Sequence, residues 1–328
     1  MNKTLITGAT GFLGKHLVDQ LIESGEAGNL RLFCREEAPV GERPGVEVVR
    51  GDITSAEDVS RAVDGCSRIY HLAGFVSRDP KHAARLHDVH VGGTRNICEA
   101  ALRHGVEKMV LVSSSGTVAV SRNPVVHDEE SGFKYELVYR WPYYLSKVFA
   151  EKTALWFHRE ARLPVVIANP ALLLGPGDET GSSTGDVALF LRGQVLSMPL
   201  GGMSFVDARD AAAGLIGTMH NGRLGERYLL GGPNWTFRSV VECVAEMTGL
   251  RPPIFSLSPP VARFSGQLGR KLLPLVGRSF EMDDATIEMS AYFWYCNSAK
   301  AAAELGFRTR DPVQTLRETV EDLRRRGL

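Results

Sequence analysis

Thr7-Gly8-Ala9-Thr10-Gly11-Phe12-Leu13-Gly14, residues 7–14, is the stretch that decides the fold. It follows a short apolar strand, Thr4 to Thr7, and opens an amphipathic helix near Leu13 to Ser24. The glycines at 8, 11 and 14 spell Gly-x-x-Gly-x-x-Gly, a variant of the dinucleotide-binding fingerprint. They permit a tight turn, let the backbone approach a pyrophosphate, and rest that group on a helix N-terminus. A glycine-rich turn also occurs in unrelated α/β proteins, but the fingerprint demands this placement between first strand and first helix. Gly8, Thr10, Gly11, Phe12, Leu13 and Gly14 are therefore the expected cofactor-binding backbone.

Outward from this loop, short apolar strands alternate with amphipathic helices. Strands are expected at Leu30–Cys34, Val46–Arg50, Arg68–Leu72, Lys108–Ser113 and Val165–Asn169. Helices are expected near Ala56–Val63, across Ala83–His104, and from Tyr143 to Ala161. This alternation is the signature of an α/β, doubly wound parallel sheet, the Rossmann fold. Residues 1–170 are expected to form that domain, with segments near 205–231 packing back onto it. Residues 171–328 are expected to form mainly a smaller, mixed substrate-binding domain. Within it, 175–185 reads as a mobile loop and 252–260 as a proline-punctuated stretch. A strand at Arg227–Leu230 and helices at Phe237–Thr248 and Val313–Arg325 complete the pattern.

The residue ending the second strand sorts the nicotinamide cofactors. Here it is Arg35, whose guanidinium suits a 2′-phosphate. NADP(H) is the expected cofactor, with NAD(H) as the alternative if Arg35 is a solvated arginine beside Glu36-Glu37. Asp52, followed by Ile53, could accept a bond from an adenine amino group or cap the next helix. Leu72, Ala73 and Gly74 place small residues where a dinucleotide would cross the sheet edge.

Tyr143 and Lys147 are four apart, so on a helix they share a face, with Pro142 suited to the first turn. A nearby ammonium favours the phenolate, and a Tyr so tuned is a proton donor and acceptor for carbonyl chemistry.

Bulk composition is that of an ordinary globular enzyme: 328 residues, 44% apolar and 23% charged. Lys plus Arg (38) balance Asp plus Glu (38), which gives no general attraction to nucleic acid or anionic membranes. The five cysteines are scattered, with no Cys-x-x-Cys pair, and read as free thiols in a reducing compartment. No apolar run reaches the ~20 residues of a membrane helix. A cytoplasmic location is the expectation.

Taken together these residues resemble the extended short-chain dehydrogenase/reductase superfamily (the NAD-dependent epimerase/dehydratase family), and within it the dihydroflavonol reductase-like branch. The likeness spans nearly the whole chain. It is carried by the glycine loop, Asp52, His71-Leu72-Ala73-Gly74, Gly93-Thr94-Arg95-Asn96, Ser113-Ser114-Ser115 and Tyr143-x-x-x-Lys147. Asn169-Pro170, Phe205 to Asp210 and Ser298-Ala299-Lys300 continue it. The resemblance implies a Ser-Tyr-Lys site with Ser114 as the hydroxyl and Ser115 as its rival. It also implies cofactor contacts from Tyr143, Lys147 and Pro170, and a homodimer through the helices near 83–104 and 143–161.

The chain departs from the family in three places. His90 stands where an asparagine often does, so a proton relay there is not expected. No Asp-Glu pair follows the catalytic hydroxyl, so dehydration is not expected. Asn169-Pro170 replaces the Arg-Pro of many sugar-nucleotide members. The function expected is an NADP(H)-dependent oxidoreductase acting on a small-molecule carbonyl, alcohol or sugar-type substrate. The alternatives are an NAD-retaining sugar-nucleotide epimerase and a non-catalytic NADP-binding regulator.

Other clusters read more blandly. His82, His87 and His90 lack a completing ligand, so no metal site is expected. Asp128-Glu129-Glu130 reads as a solvated loop. Tyr139, Trp141 and Tyr144 read either as pocket wall or as core.

Overall fold

The structure is a computed structural model that describes residues 3–35, 43–272 and 283–328. Among these residues the strands are β1 (Lys3–Thr7), β2 (Leu30–Cys34), β3 (Glu47–Arg50), β4 (Cys66–His71), β5 (Lys108–Val112) and β6 (Val165–Pro170). Then follow β7 (Leu172–Leu174), β8 (Gly202–Asp207), β9 (Arg227–Leu230), β10 (Asn234–Thr236) and β11 (Phe293–Trp294). Val165-Val166-Ile167-Ala168 and Met109-Val110-Leu111 have the continuous apolar character that a strand covered on both faces requires. Such strands assemble a parallel seven-stranded sheet in the order β3-β2-β1-β4-β5-β6-β9. Strand order reverses between β1 and β4, so their carboxyl ends open the crevice where such sheets bind ligands. One apolar cluster containing Leu17, Leu21 and Tyr228, and another containing Ile69, Ile97 and Met109, cover its faces.

A second, smaller sheet runs β10-β8-β11, with β7 joining β8 in parallel. A third cluster built on Trp141, Phe205, Trp294 and Leu316 fills the space beside it.

Three segments differ from the sequence expectation. The single helix expected over 83–104 is two helices, Ala83–His87 and Gly93–Arg103, joined by a π-helical turn, Asp88–Gly92. Such bulges re-aim side chains, and this one carries His90 inward, where it is buried. The end of the proline-punctuated stretch 252–260 opens a helix, Pro259–Leu272, because a proline is well suited to a first helical turn. The loop read as mobile is pinned. Buried Asp178 accepts bonds from the backbone N–H groups of Ser182, Ser183 and Thr184 and from three hydroxyls. Burial opposes the Asp178 charge, but these donors outweigh it and hold the carboxyl below its usual range.

Candidate active site

A cavity of about 1250 Å³ opens at the carboxyl ends of the strands. Every residue expected to bind cofactor, and Ser114, Ser115, Tyr143 and Lys147, line it. At its floor, Gly8 has φ +71°, and a Cβ there would lie 2.7 Å from the Ala73 nitrogen. A Cβ on Gly14 would lie 2.1 Å from the Gly8 carbonyl oxygen. Gly11 meets only that same oxygen, at 3.3 Å, and is exposed. Packing thus forbids a side chain at Gly8 and Gly14, while Gly11 keeps the approach to the helix open. No side chain caps the helix Phe12–Glu23, so its first N–H groups are available to an anion. This cradle fits a dinucleotide pyrophosphate.

Thr7 fastens the cradle to the next loop. Its hydroxyl accepts from the Ala73 N–H at 3.0 Å and shares a hydrogen bond of 2.8 Å with His71 Nδ1. Burial, and secondarily Lys147, lowers the His71 pKa to about 3, so the ring is neutral. At the other end, Arg35 is exposed just beyond β2, and its carbonyl accepts from Arg50 at 2.8 Å. Glu36-Glu37 lie outside the described residues. Asp52 is not a helix cap: its Oδ1 accepts from the Thr54 N–H and hydroxyl, and Ser55 caps the helix Ala56–Val63.

Tyr143 and Lys147 stand on the helix Pro142–Ala161, with Pro142 in its first turn. The expectation that Lys147 lowers the Tyr143 pKa is not met. Burial, and secondarily Tyr144, pushes the phenol above its ordinary value. Lys147 Nζ instead donates to the Val112 carbonyl at 3.0 Å. Burial lowers its pKa from 10.5 to about 8, with Glu151 opposing the shift.

Glu151, one turn further along the same face, escaped the sequence analysis. It is fully buried. It accepts from Ser113 Oγ at 2.6 Å, Thr117 Oγ1 at 2.8 Å, Asn169 Nδ2 at 2.7 Å and Arg227 at 3.0 Å. Its spacing of four from Lys147 was the available signal. The network also removes one serine: Ser113 is committed to Glu151. Ser114 Oγ accepts a longer bond, 3.3 Å, from the Gly116 N–H. Ser115 anchors a turn through its carbonyl, which accepts from Ala119 at 2.8 Å.

His90 is part of the site's frame. Its Nε2 accepts from the Phe75 N–H at 3.0 Å, which puts the proton on Nδ1, 2.7 Å from Ser146 Oγ. Ser146 in turn donates to the Tyr143 carbonyl at 2.7 Å. Burial, then Lys147 and His71, lowers the His90 pKa to about 2. His82 is bonded separately, to Ser77 at 2.8 Å.

Beyond Tyr143 the cavity wall gains many apolar side chains. Val187, Leu189, Phe190, Val240, Ile287 and Met289 line it. Tyr144 stacks on Trp294 with ring centroids 4.8 Å apart, and both line the cavity with Trp141. Tyr139 points outward against Arg140. Ser197, Ser265, Thr286 and Ser290 line the cavity as well, and Arg78 holds Asp186 through two bonds of 2.7 and 2.8 Å. Glu129, expected to be solvated, is buried and accepts from the Leu229 N–H at 2.9 Å.

A model described as "NAD dependent epimerase/dehydratase family" matches residues 4–231. The chain belongs to this family. It is thus an NAD(P)-dependent oxidoreductase of the extended short-chain dehydrogenase type. Similar curated proteins include a "Sterol demethylase protein B" of Methylococcus capsulatus, 31% identical over 99% of both chains. A "Putative dihydroflavonol 4-reductase" of Synechocystis is 29% identical over 98% of this chain and 94% of its own. Among solved structures, gox2253 superposes with a TM-score of 0.84 at 29% identity, covering 100% of this chain and 99% of its own.

Proposed function

We propose that this epimerase/dehydratase-family protein is an NADP(H)-dependent oxidoreductase that reduces a carbonyl, or oxidises the corresponding secondary alcohol, on a largely apolar molecule. The observation that carries this is the convergence of Ser114, Tyr143 and Lys147 on the cavity floored by the Gly8–Gly14 cradle. The bound nicotinamide supplies or accepts a hydride. Tyr143, held protonated by burial, gives its proton to the substrate oxygen as negative charge develops there. Ser114 donates a second bond to the same oxygen, and such placed donors supply several kcal/mol of transition-state stabilisation. Lys147, whose ammonium faces the cavity, would hold the nicotinamide ribose. A phenol that favours its protonated form suits the reductive direction near neutral pH. Arg35 supports NADP(H) over NAD(H), and residues beyond Ala171 supply most of the substrate end.

The test is titration with NADPH and NADH, then a screen of apolar ketones and aldehydes against UDP-sugars by absorbance change. Tyr143→Phe is expected to keep NADPH affinity and lower turnover about 10²–10⁴-fold, the range for a lost general acid. Unchanged turnover in that variant would refute the role. Purified protein carrying tightly held NAD, with no net NADPH consumption, would favour epimerisation instead.

A further inference from the structure

Arg78 and Tyr144 both line the cavity, and neither has a part in the reaction as proposed. The Arg78 guanidinium joins three parts of the cavity wall. Its Nη1 donates to Asp186 Oδ1 at 2.7 Å and to Thr286 Oγ1 at 2.8 Å, and its Nη2 to Asp186 Oδ2 at 2.8 Å. Asp186 stands on the helix Gly185–Leu191 and Thr286 on the helix Asp284–Met289. These bonds leave the Nε–H and the second hydrogen of Nη2 without a partner among the described residues. A strut that merely tied the three segments together would have no need of open donors. The Arg78 side chain keeps 34% of its surface accessible where it lines the cavity.

Tyr144 is the second open donor. Its ring is fixed on two sides, stacked on Trp294 and so close to Gly116 that a Cβ there would lie 2.3 Å from it. The Tyr143 ring meets it edge-on, with centroids 5.1 Å apart. A buried phenol usually finds a partner for its hydroxyl, but that of Tyr144 has none among the described residues. Burial pushes the Tyr144 pKa up to about 12, with Arg78 opposing and Asp186 assisting, so the phenol keeps its proton. Arg78 and Asp186 bear on Tyr144 and not on Tyr143, which places this pair on the far side of the Tyr144 ring from the reacting oxygen.

Two open donors call for an acceptor oxygen, and the surrounding charge decides its kind. Asp186 already takes the guanidinium through both oxygens, and Asp283 adds to the negative field around it. A substrate carboxylate or phosphate would bring a further anion to a cation that two carboxylates already face. A neutral oxygen meets no such repulsion.

We infer that Arg78 and Tyr144 form a second oxygen subsite, which selects substrates carrying an uncharged hydroxyl or carbonyl group remote from the carbon that is reduced. The inference rests on the reading of Tyr143 as proton donor to the reacting oxygen, and it makes Asp186 a positioning residue for Arg78.

The experiment is calorimetry on the full chain with NADP⁺ present, which cannot reduce a ketone. The probes are benzylacetone, its para-hydroxy derivative and its para-carboxylate. The para-hydroxy ketone is expected to bind about tenfold or more tighter than benzylacetone, the worth of a charge-assisted hydrogen bond, and the carboxylate no tighter than benzylacetone. Tyr144→Phe, which keeps the ring, is expected to lower the ratio of the first two affinities about threefold or more. Arg78→Met combined with Asp186→Met removes both charges and strands neither, and is expected to bring that ratio towards one. A purely structural role would weaken both ketones together and leave their ratio unchanged. A parent ratio near one, tightest binding by the carboxylate, binding by none of the three, or a ratio that survives either variant would each overturn the inference. Turnover with NADPH is read separately. The expected ratio without reduction of any ketone would leave the subsite standing and sink the reductase reading, whereas equal binding and equal reduction of the first two ketones would do the reverse.

Discussion

Glu151→Gln is expected to cost the fold about 3–5 kcal/mol, the range for removing one partner of a buried ion pair. The reasoning starts from the donors. Oε1 receives three of them, from Ser113, Thr117 and Asn169, and Oε2 receives the Arg227 guanidinium. A glutamine has one acceptor oxygen and an N–H₂ group. If the oxygen stays with the three neutral donors, the amide nitrogen confronts Arg227, which then keeps its charge without a counter-charge in a mostly buried position. If the amide turns over, the two hydroxyls must turn to accept from it and Asn169 Nδ2 faces an N–H₂ group without an acceptor, at about 1–3 kcal/mol. Either way the loss exceeds that of an ordinary surface substitution. Urea unfolding at neutral pH measures it. Adding Arg227→Met removes the stranded charge, so the double variant is expected to recover at least half of the loss. A loss below about 1 kcal/mol in the single variant, or strict additivity in the pair, would refute the account. A second readout is Lys147, whose charge Glu151 favours; without Glu151 its pKa is expected to fall below the present value of about 8.

Gly14→Ala is expected to destabilise by about 1–3 kcal/mol through overpacking, since its Cβ meets backbone that cannot step aside, and to weaken NADPH binding. Gly92→Ala, at a helical φ of −60° with nothing within 4 Å, is the control and is expected to be neutral or slightly stabilising in the same thermal melt. Because the folded Lys147 pKa is depressed from 10.5 to about 8, the unfolded chain binds more protons between those values. Stability from this group therefore rises with pH across that window. Cofactor affinity should do the opposite, falling as pH rises through about 8 as the ammonium is lost. Lys147→Arg should remove that break, and a flat fluorescence titration of the parent from pH 7 to about 9.5, well below the free-lysine range, would count against the role. Arg35→Ala is expected to weaken NADPH about 10–100-fold, the worth of a charge-assisted bond, and to leave NADH unchanged; equal losses for both cofactors would sink the 2′-phosphate assignment.

The parts of the site that were legible beforehand share a physical character. Gly8 and Gly14 answer to contacts within one turn, between neighbouring loops whose order the alternation of strands and helices already implied. Tyr143 and Lys147 share a face because a helix repeats every 3.6 residues, whatever packs against it. The π-helical turn at Asp88–Gly92 was not legible, since the 83–104 pattern reads as unbroken helix and the bulge is set by what His90 finds inside. Residues 259–272 were missed because prolines were read as punctuation when two of them open a helix.

The amino-acid sequence by itself therefore determined the doubly wound sheet, the glycine cradle and the face on which Tyr143 and Lys147 stand, all products of local periodicity and turn chemistry. Tertiary structure alone decided that Ser113 is taken up by Glu151, where the Lys147 ammonium points, and that burial raises the Tyr143 pKa where the adjacent cation was expected to lower it. Those properties depend on desolvation and on partners distant in the chain. Glu151 meets Arg227 from 76 residues away, and no spacing rule reaches that far.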